Sequence, residues 1–285
     1  MTCYVCDSSA LRRKFSIPLF DGPYQGDTDV KSRTIYECDC CGHLSADFYD
    51  PERYAAHYAK IALENYHYVH DSDLSRYETI LKFAPKRTLK RVLDIGCATG
   101  TFLNMLPPGV ERFGIEPSEL AAECARAKGI NIIQYEDLAK PELRNTFDLV
   151  TAIDVVEHTK ELGTLRKHIV TALRPGGSLA ILTGNAETRP AKVLGRFWYY
   201  LNYAEHVSCF SSRSMRIWLQ TDFSRIEITR ADHHPLNSQM ALPVARAWLL
   251  FPIKWAIRTL VPSRMKFYTA LWAPGDHMLV FATRS

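Results

Sequence analysis

The sequence predicts an α/β protein, a doubly wound, mostly parallel sheet preceded by a small metal-binding module and a helical linker. Three observations carry this. Strand-like and helix-like stretches alternate from Arg91 onward, the pattern of a parallel sheet with helices on both faces. The run Val92-Leu93-Asp94-Ile95-Gly96-Cys97-Ala98-Thr99-Gly100 reads as a short apolar strand, then a glycine-bearing turn into a helix starting near Thr101. Five of the eight cysteines fall in the first 41 residues. The 285 residues suffice for one large domain or two smaller ones.

Residues 1–47 form the expected metal module. Cys3-x-x-Cys6 and Cys38-x-x-Cys41-Gly42 are two knuckles, each able to wrap two thiolates around one tetrahedral zinc ion. Cys3, Cys6, Cys38 and Cys41 are therefore the expected ligands of a structural Zn2+. Cys40 stands as a spare or as a substitute for Cys38 or Cys41. His43 is expected to be an ordinary surface histidine, with ligation as its alternative. The intervening loop, with Pro18, Gly22, Pro23 and Gly26, has too little periodicity to fold alone. Structural zinc supplies an apparent ~10–16 kcal/mol in small peptides. Four thiolates leave no open coordination position, so no catalysis is expected there. Cys97, Cys124 and Cys209 are isolated and read as packing residues.

Residues 48–86 read as a helical linker. Tyr54, His57, Tyr58, Ile61 and Leu63 recur at near-helical spacing, followed by Leu74, Tyr77, Ile80 and Leu81, with Pro85 ending the second helix. The stripe is expected to tie the metal module to the domain spanning 87–285.

Within that domain the glycine turn lets a backbone approach a ligand carboxylate closely, at the carboxyl end of a parallel strand. Arg112-Phe113-Gly114-Ile115-Glu116-Pro117-Ser118 reads as a second strand ending in a carboxylate able to accept from both hydroxyls of a ribose, with Ser118 as the next helix N-cap. A dinucleotide site usually shows G-x-G-x-x-G. Here the spacing is Asp94-x-Gly96-x-x-x-Gly100, with Ala98 in place of the middle glycine. Phe147-Asp148-Leu149-Val150-Thr151-Ala152-Ile153-Asp154-Val155-Val156-Glu157-His158 and Leu173-Arg174-Pro175-Gly176-Gly177-Ser178-Leu179 follow.

With these four segments in this order, the chain resembles class I S-adenosylmethionine-dependent methyltransferases over roughly Leu89 to Phe223. The resemblance implies a seven-stranded sheet and S-adenosyl-L-methionine as cosubstrate. It places Asp94, Gly96, Cys97 and Gly100 at the methionine end, Glu116 and Pro117 at the ribose, Asp137 and Leu138 at the adenine, and Asp154 near the sulfonium. Asp276 to Ala282 is expected to return to the sheet as its last strand.

The methyl of a sulfonium is already activated, so alignment supplies much of the catalysis, ~7–11 kcal/mol in well-oriented systems. A hydroxyl acceptor also needs its proton removed, worth ~10²–10⁴-fold. His158 and His206 compete for that role, with structural hydrogen bonding as the alternative for each. Similar sequences place a histidine before an aromatic-Ser pair, here Phe210-Ser211, at the position of His206. An insertion at about 185–207, rich in aromatics with Arg189, Lys192 and Arg196, covers the acceptor or packs on the sheet edge.

A second insertion, about 232–268, is apolar and basic. From Ala241 to the end there are six basic residues and one acid, against 29 basic and 30 acidic before it. The positive excess is local, which argues against a whole-protein field for nucleic acid. Arg246, Lys254 and Arg258 interrupt 241–261, so a membrane span is not expected. A helical cap or homodimer surface is the leading expectation there, with peripheral membrane contact as the alternative. No leader is visible, and a cytoplasmic location is expected.

The resemblance is strongest to bacterial enzymes that carry a zinc module and modify sugars or polysaccharides. O-methylation of a sugar, glycan or related small molecule is the favoured expectation. Ribosomal-RNA base N-methylation, sugar C- or N-methylation, and a non-catalytic adapter bound through the zinc module are the alternatives.

Overall fold

The computed structural model describes residues 1–18, 32–48, 50, 52, 71–84, 89–201, 205–231 and 275–285. Its strands, in chain order, are β1 (Leu11–Pro18), β2 (Ser32–Cys38), β3 (Leu44–Ala46), β4 (Arg91–Ile95), β5 (Glu111–Ile115) and β6 (Asn131–Ile132). These are followed by β7 (Phe147–Ile153), β8 (Leu173–Gly184), β9 (Ser208–Cys209), β10 (Phe223–Ala231) and β11 (His277–Arg284). The helices are α1 (Asp71–Phe83), α2 (Thr101–Asn104), α3 (Glu119–Ala127), α4 (Leu162–Ala172), α5 (Arg189–Leu194) and α6 (Ser212–Leu219).

The large sheet has seven strands in the order β10-β11-β8-β7-β4-β5-β6. β4 to β8 pair in parallel, while β11 runs antiparallel to both its neighbours. The doubly wound, mostly parallel seven-stranded fold read from the sequence is thus the observed one, with the returning last strand inserted beside β8. Its strands bury both faces, as period-two side-chain alternation requires. Leu93, Ile95, Val150, Ala152, Leu179, Ile181 and Val280 face a core closed by α4 and α6. Val92, Leu149, Ala180, Leu182 and Leu279 face the opposite core, closed by α1, α2 and α3.

Local chemistry sets the helix starts. The Ser118 hydroxyl accepts from the Ala121 amide and caps α3, as the sequence suggests. Ser211 and Ser214 exchange side-chain and backbone bonds in a reciprocal cap that opens α6. α1 delivers part of the linker stripe: Ile80 is buried in the core, and the Tyr77 ring meets Phe102 edge-on at 5.7 Å.

The small sheet, ordered β1-β2-β3-β9, joins the chain's two ends of function. β1 to β3 come from the cysteine-rich front, but β9 comes from the segment after β8. Leu44 pairs with Cys209 and Ser45 with Ser208. Trp198, Tyr200 and Leu201 from the first insertion pack on Ile17, Ile35 and Leu44 beneath this sheet.

Two expectations for the front need correction. The stretch between the knuckles, read as a loop too weakly periodic to fold alone, supplies β1 and β2, paired antiparallel from Leu11–Cys38 to Pro18–Ser32. Its weak periodicity comes from cations on the exposed face and a register shift between Arg13 and Phe15. His43 is not a surface residue but fully buried, its ring edge-on to Phe210 at 4.8 Å. Burial pushes its imidazole down to about 3, so it packs as a neutral aromatic. The linker stripe before Asp71, Pro85, Gly22, Pro23, Gly26, Tyr203 and the second insertion at 232–268 lie outside the described residues. Among the described residues, no helix is long and apolar enough to cross a membrane.

Candidate functional site

The carboxyl ends of β4, β5, β7 and β8 lie at one edge of the sheet, the edge at which open α/β sheets bind ligands. The turn after β4 is tightly constrained. Gly96, Ala98 and Gly100 all have left-handed backbone, with φ of 72°, 47° and 75°. A Cβ on Gly100 would lie 2.1 Å from Ile130 Cδ1, and one on Gly96 2.6 Å from Val155 Cγ2. Cys97 is buried against Gly114, whose missing side chain leaves room for the thiol.

Two buried carboxylates flank this turn. Asp94 is 3% exposed and accepts a 2.6 Å hydrogen bond from Thr151 Oγ1. Burial pushes its carboxyl up to about 7, the Thr151 bond opposes that, and the Glu116 charge adds to it. Glu116 accepts from the Ala98 amide at 2.9 Å through Oε2 and from the Ser118 amide at 2.8 Å through Oε1. These bonds hold the carboxylate between the two turns. Pro117 beside it is exposed.

Asp137 sits in a 3-10 turn after β6, where its Oδ2 accepts from the Gln134 amide and its Oδ1 pairs with Lys140 at 2.7 Å. Those contacts hold its carboxyl below the usual range, the Gln134 bond most. Leu138 is buried in the main core. Tyr135, one turn earlier, is pushed up to about 12 by burial and by the nearby Glu116 charge.

Asp154 follows β7 with a left-handed φ of 53° and pairs with Arg76 of α1 at 2.9 Å. The linker helix is thereby fastened to the ligand end of the sheet. Beyond it, Glu157, His158 and His206 converge: one donor atom from each lies within 4.8 Å of the others. The two imidazoles meet edge-on, 4.8 Å between centroids. His206 bonds through Nδ1 to the Tyr200 carbonyl at 2.9 Å. Glu157 is fully buried; its Oε2 accepts from Thr183 Oγ1 at 2.9 Å, whereas Oε1 has no hydrogen-bond donor among the described residues. Burial pushes Glu157 up to about 8 and both histidines down.

The front module holds His206 in place. Arg33 of β2, 1% exposed, donates to the Leu201 carbonyl at 2.6 Å and to the His206 carbonyl at 3.0 Å. Val207 donates to the Glu157 carbonyl at 2.8 Å, and Ala46 to the Val207 carbonyl at 2.9 Å. Sequence reasoning named both histidines but missed Arg33, Arg76, Thr151 and Thr183. Thr151 carried a signal, a hydroxyl inside an otherwise apolar strand; Arg33 and Arg76 carried none.

At the opposite end of the small sheet, Cys3, Cys6, Cys38 and Cys41 bring their four sulfurs within 4.8 Å of one another. Cys3–Cys41 and Cys6–Cys38 lie 3.5 and 3.6 Å apart, near the ~3.8 Å edge of a tetrahedron with ~2.3 Å Zn–S bonds. Cys40 is exposed and turns to the Ser8 hydroxyl at 3.2 Å, outside the cluster.

A family model described as a methyltransferase domain matches residues 66–222. A ubiquinone biosynthesis O-methyltransferase of Bradyrhizobium diazoefficiens is 30% identical over 148 residues, covering 50% of this chain and 58% of that protein. One from Rhodopseudomonas palustris strain TIE-1 is 25% identical over 73% of this chain and 85% of its own length. The chain thus spans under two thirds of the length of some curated relatives it matches. A SAM-dependent methyltransferase from Archaeoglobus fulgidus shares the fold, with a TM-score of 0.53 at 17% identity over 78% of this chain and 97% of that one.

Proposed function

Because the chain belongs to the methyltransferase-domain family, we propose that it transfers a methyl group from S-adenosylmethionine to a hydroxyl oxygen of a small molecule or glycan. The observation that supports this most is the pairing of an intact cosubstrate cradle with Glu157, His158 and His206 at the same sheet edge. The O-methyltransferase names of the relatives favour oxygen over nitrogen or carbon. Within the sugar, glycan or related small molecule favoured by sequence alone, they lend weight to the small molecule.

The residues fit the cosubstrate. Asp94 is a buried carboxylate bonded to the Thr151 hydroxyl, and the methionine ammonium would give it a cationic partner. Glu116 is held to receive ribose hydroxyls, and the tight turn at Gly96 to Gly100 leaves backbone rather than side chains against the ligand. Asp137, already capped, offers its remaining lone pairs toward the adenine amine. S-adenosylmethionine supplies an activated methyl on a positively charged sulfur. The chain's part is to align the acceptor oxygen behind that methyl, exclude water, and remove the hydroxyl proton beside His158 and His206.

The front cluster is proposed as a structural zinc site. Its four thiols, which leave a tetrahedral ion no open position, support a role in folding rather than chemistry.

The test is incubation of the chain with methyl-labelled S-adenosylmethionine and an extract separated into small-molecule, glycan, RNA and protein pools. Label in an alkali-stable methyl ether of the first two pools is the expected result, abolished by Glu116→Ala. Label in RNA overturns the choice of acceptor. Labelling that survives both Asp94→Ala and Glu116→Ala overturns the assigned site.

A further inference from the structure

We propose that Asp276 is a positioning residue for His206: its carboxylate grips two rings that pack on Tyr200, whose carbonyl orients the imidazole. The chemical role of His206 rests on the O-methylation reading, but the mechanical link to Asp276 does not.

Asp276 sits where the chain turns into β11. Gly275 before it has a left-handed φ of 68°, and its carbonyl accepts from Arg230 Nε at 3.1 Å. The Asp276 carbonyl accepts from the Asn185 amide at 2.8 Å, and His277 pairs with Gly184 at the end of β8. The backbone is thus fixed on both sides of a residue that is buried. Its Oδ2 accepts from Trp198 Nε1 at 3.0 Å, and its Oδ1 lies 2.8 Å from His277 Nδ1. Trp198 and His277 are buried with it.

Both of those rings rest on Tyr200. Trp198 stacks on it, with 4.9 Å between centroids and 20° between planes, and His277 meets it edge-on at 5.4 Å. His206 packs on the same ring at 4.2 Å. The Tyr200 hydroxyl is tied down as well, by the Gly184 amide at 3.0 Å and Thr183 Oγ1 at 2.9 Å. Its carbonyl then accepts from His206 Nδ1 at 2.9 Å. A carbonyl only accepts, so this bond places the proton on Nδ1 and leaves Nε2 as the basic nitrogen.

Packing alone does not call for a carboxylate at this point. An apolar side chain fills the space without the cost of burying a polar group. What the carboxylate adds is direction, because each oxygen accepts a ring N–H over a narrow range of angles. A satisfied buried network of this kind holds one arrangement of its members, here the rings around Tyr200. In the O-methylation reading, Nε2 takes the proton of the acceptor hydroxyl while the O–CH3 bond forms and the S–CH3 bond breaks. The products are a methyl ether and a neutral thioether, and the proton passes from His206 to solvent.

The full chain, labelled with nitrogen-15 at histidine, tests the link by magnetic resonance. The Nδ1–H signal of His206 is identified by its loss in His206→Asn, and its exchange with solvent is followed. Slow exchange is expected in the parent. Asp276→Ala should speed it by on the order of tenfold, the effect of losing one supporting hydrogen bond. Trp198→Phe keeps a ring but removes the N–H, so it should speed exchange too, and the double variant should be no worse than Asp276→Ala. Asp276→Asn should restore slow exchange, since its oxygen still accepts from Trp198 and its amide can donate to the other tautomer of His277. Labelling of the extract pool that the parent methylates should fall and recover in step, with cosubstrate affinity unchanged. Parental exchange in Asp276→Ala, additive effects of the two substitutions, or a His206 proton found on Nε2 overturns the link. If Asp276→Ala does not fold, parental exchange in Trp198→Phe overturns it instead. No acceptor enters the resonance measurement, so the two readings fail separately. Faster exchange with methyl found on nitrogen upholds the link and refutes O-methylation. A methyl ether formed by Asp276→Ala at the parental rate does the reverse.

Discussion

At Asp94 burial makes a charged side chain unfavourable in the folded protein, a cost that the proposed cosubstrate ammonium would offset. Its buried carboxyl is raised to about 7, against ~3.9 for an unfolded aspartate. The folded state therefore binds the proton more tightly than the unfolded state. Stability is fullest below about pH 4 for this group and falls as pH rises toward 7. Asp94→Asn removes that loss, so the variant should melt higher than the parent at pH 8, with the gap closing near pH 4. Thermal melts across that range check the sign. In the proposed site the ammonium then loses its partner, so the same variant should lose cosubstrate affinity by at least a hundredfold in calorimetry. In the parent near pH 6, binding should release a proton from Asp94, seen as a buffer-dependent binding enthalpy. Ala98 is a smaller case: a left-handed φ costs an alanine roughly 1–2 kcal/mol. Ala98→Gly should be neutral to slightly stabilising in denaturant unfolding, since glycine's extra unfolded-state entropy offsets part of the relief.

At the scale of elements, the decisive junction is β2, β3 and β9. The front module donates strand pairing to β9 and the Arg33 guanidinium to the carbonyls of Leu201 and His206. Arg33→Ala leaves two carbonyls without these donors and should destabilise the chain by about 2–4 kcal/mol in denaturant unfolding. It should also lower the rate of methyl transfer while cosubstrate affinity holds, because Asp94 and Glu116 sit on other strands. Loss of affinity together with rate would show instead that Arg33 supports the whole sheet. Gly184 is a second pivot. The Tyr200 ring lies over it, within 2.7 Å of where a Cβ would be, and its hydroxyl accepts from the Gly184 amide. Gly184→Ala should displace Tyr200, and with it the carbonyl that orients His206. The expected result is reduced turnover and a lower melting temperature.

Across the whole molecule, the cysteine-rich front is joined to the segment that carries His206 by the β3–β9 pairing and by Arg33. Cys6→Ser should release zinc, measured by metal analysis. It should also slow methyl transfer, because the small sheet that carries Arg33 loosens; retention of full zinc by the variant would refute the four-cysteine site. Much of this was legible beforehand. The alternation of strands and helices, the turn from Asp94 to Gly100, Glu116 after β5 and the paired cysteine knuckles depend on local spacing, which a sequence displays directly. The two histidines were legible as candidates, but their convergence with Glu157 was not, since they reach one another across the gap between β7 and β9. His43 and the β1–β2 pair were misread because burial depends on what covers a residue rather than on its neighbours in the chain. The sequence alone determined the parallel sheet, the glycine turn after β4 and the cysteine spacing, because short-range periodicity and backbone requirements dictate them. Only the tertiary structure decided that β9 closes the front sheet, that Arg33 and Arg76 reach the cleft, and that Glu157 keeps a buried oxygen unmatched. Those are contacts between segments tens to hundreds of residues apart, set by packing and desolvation rather than by any local pattern.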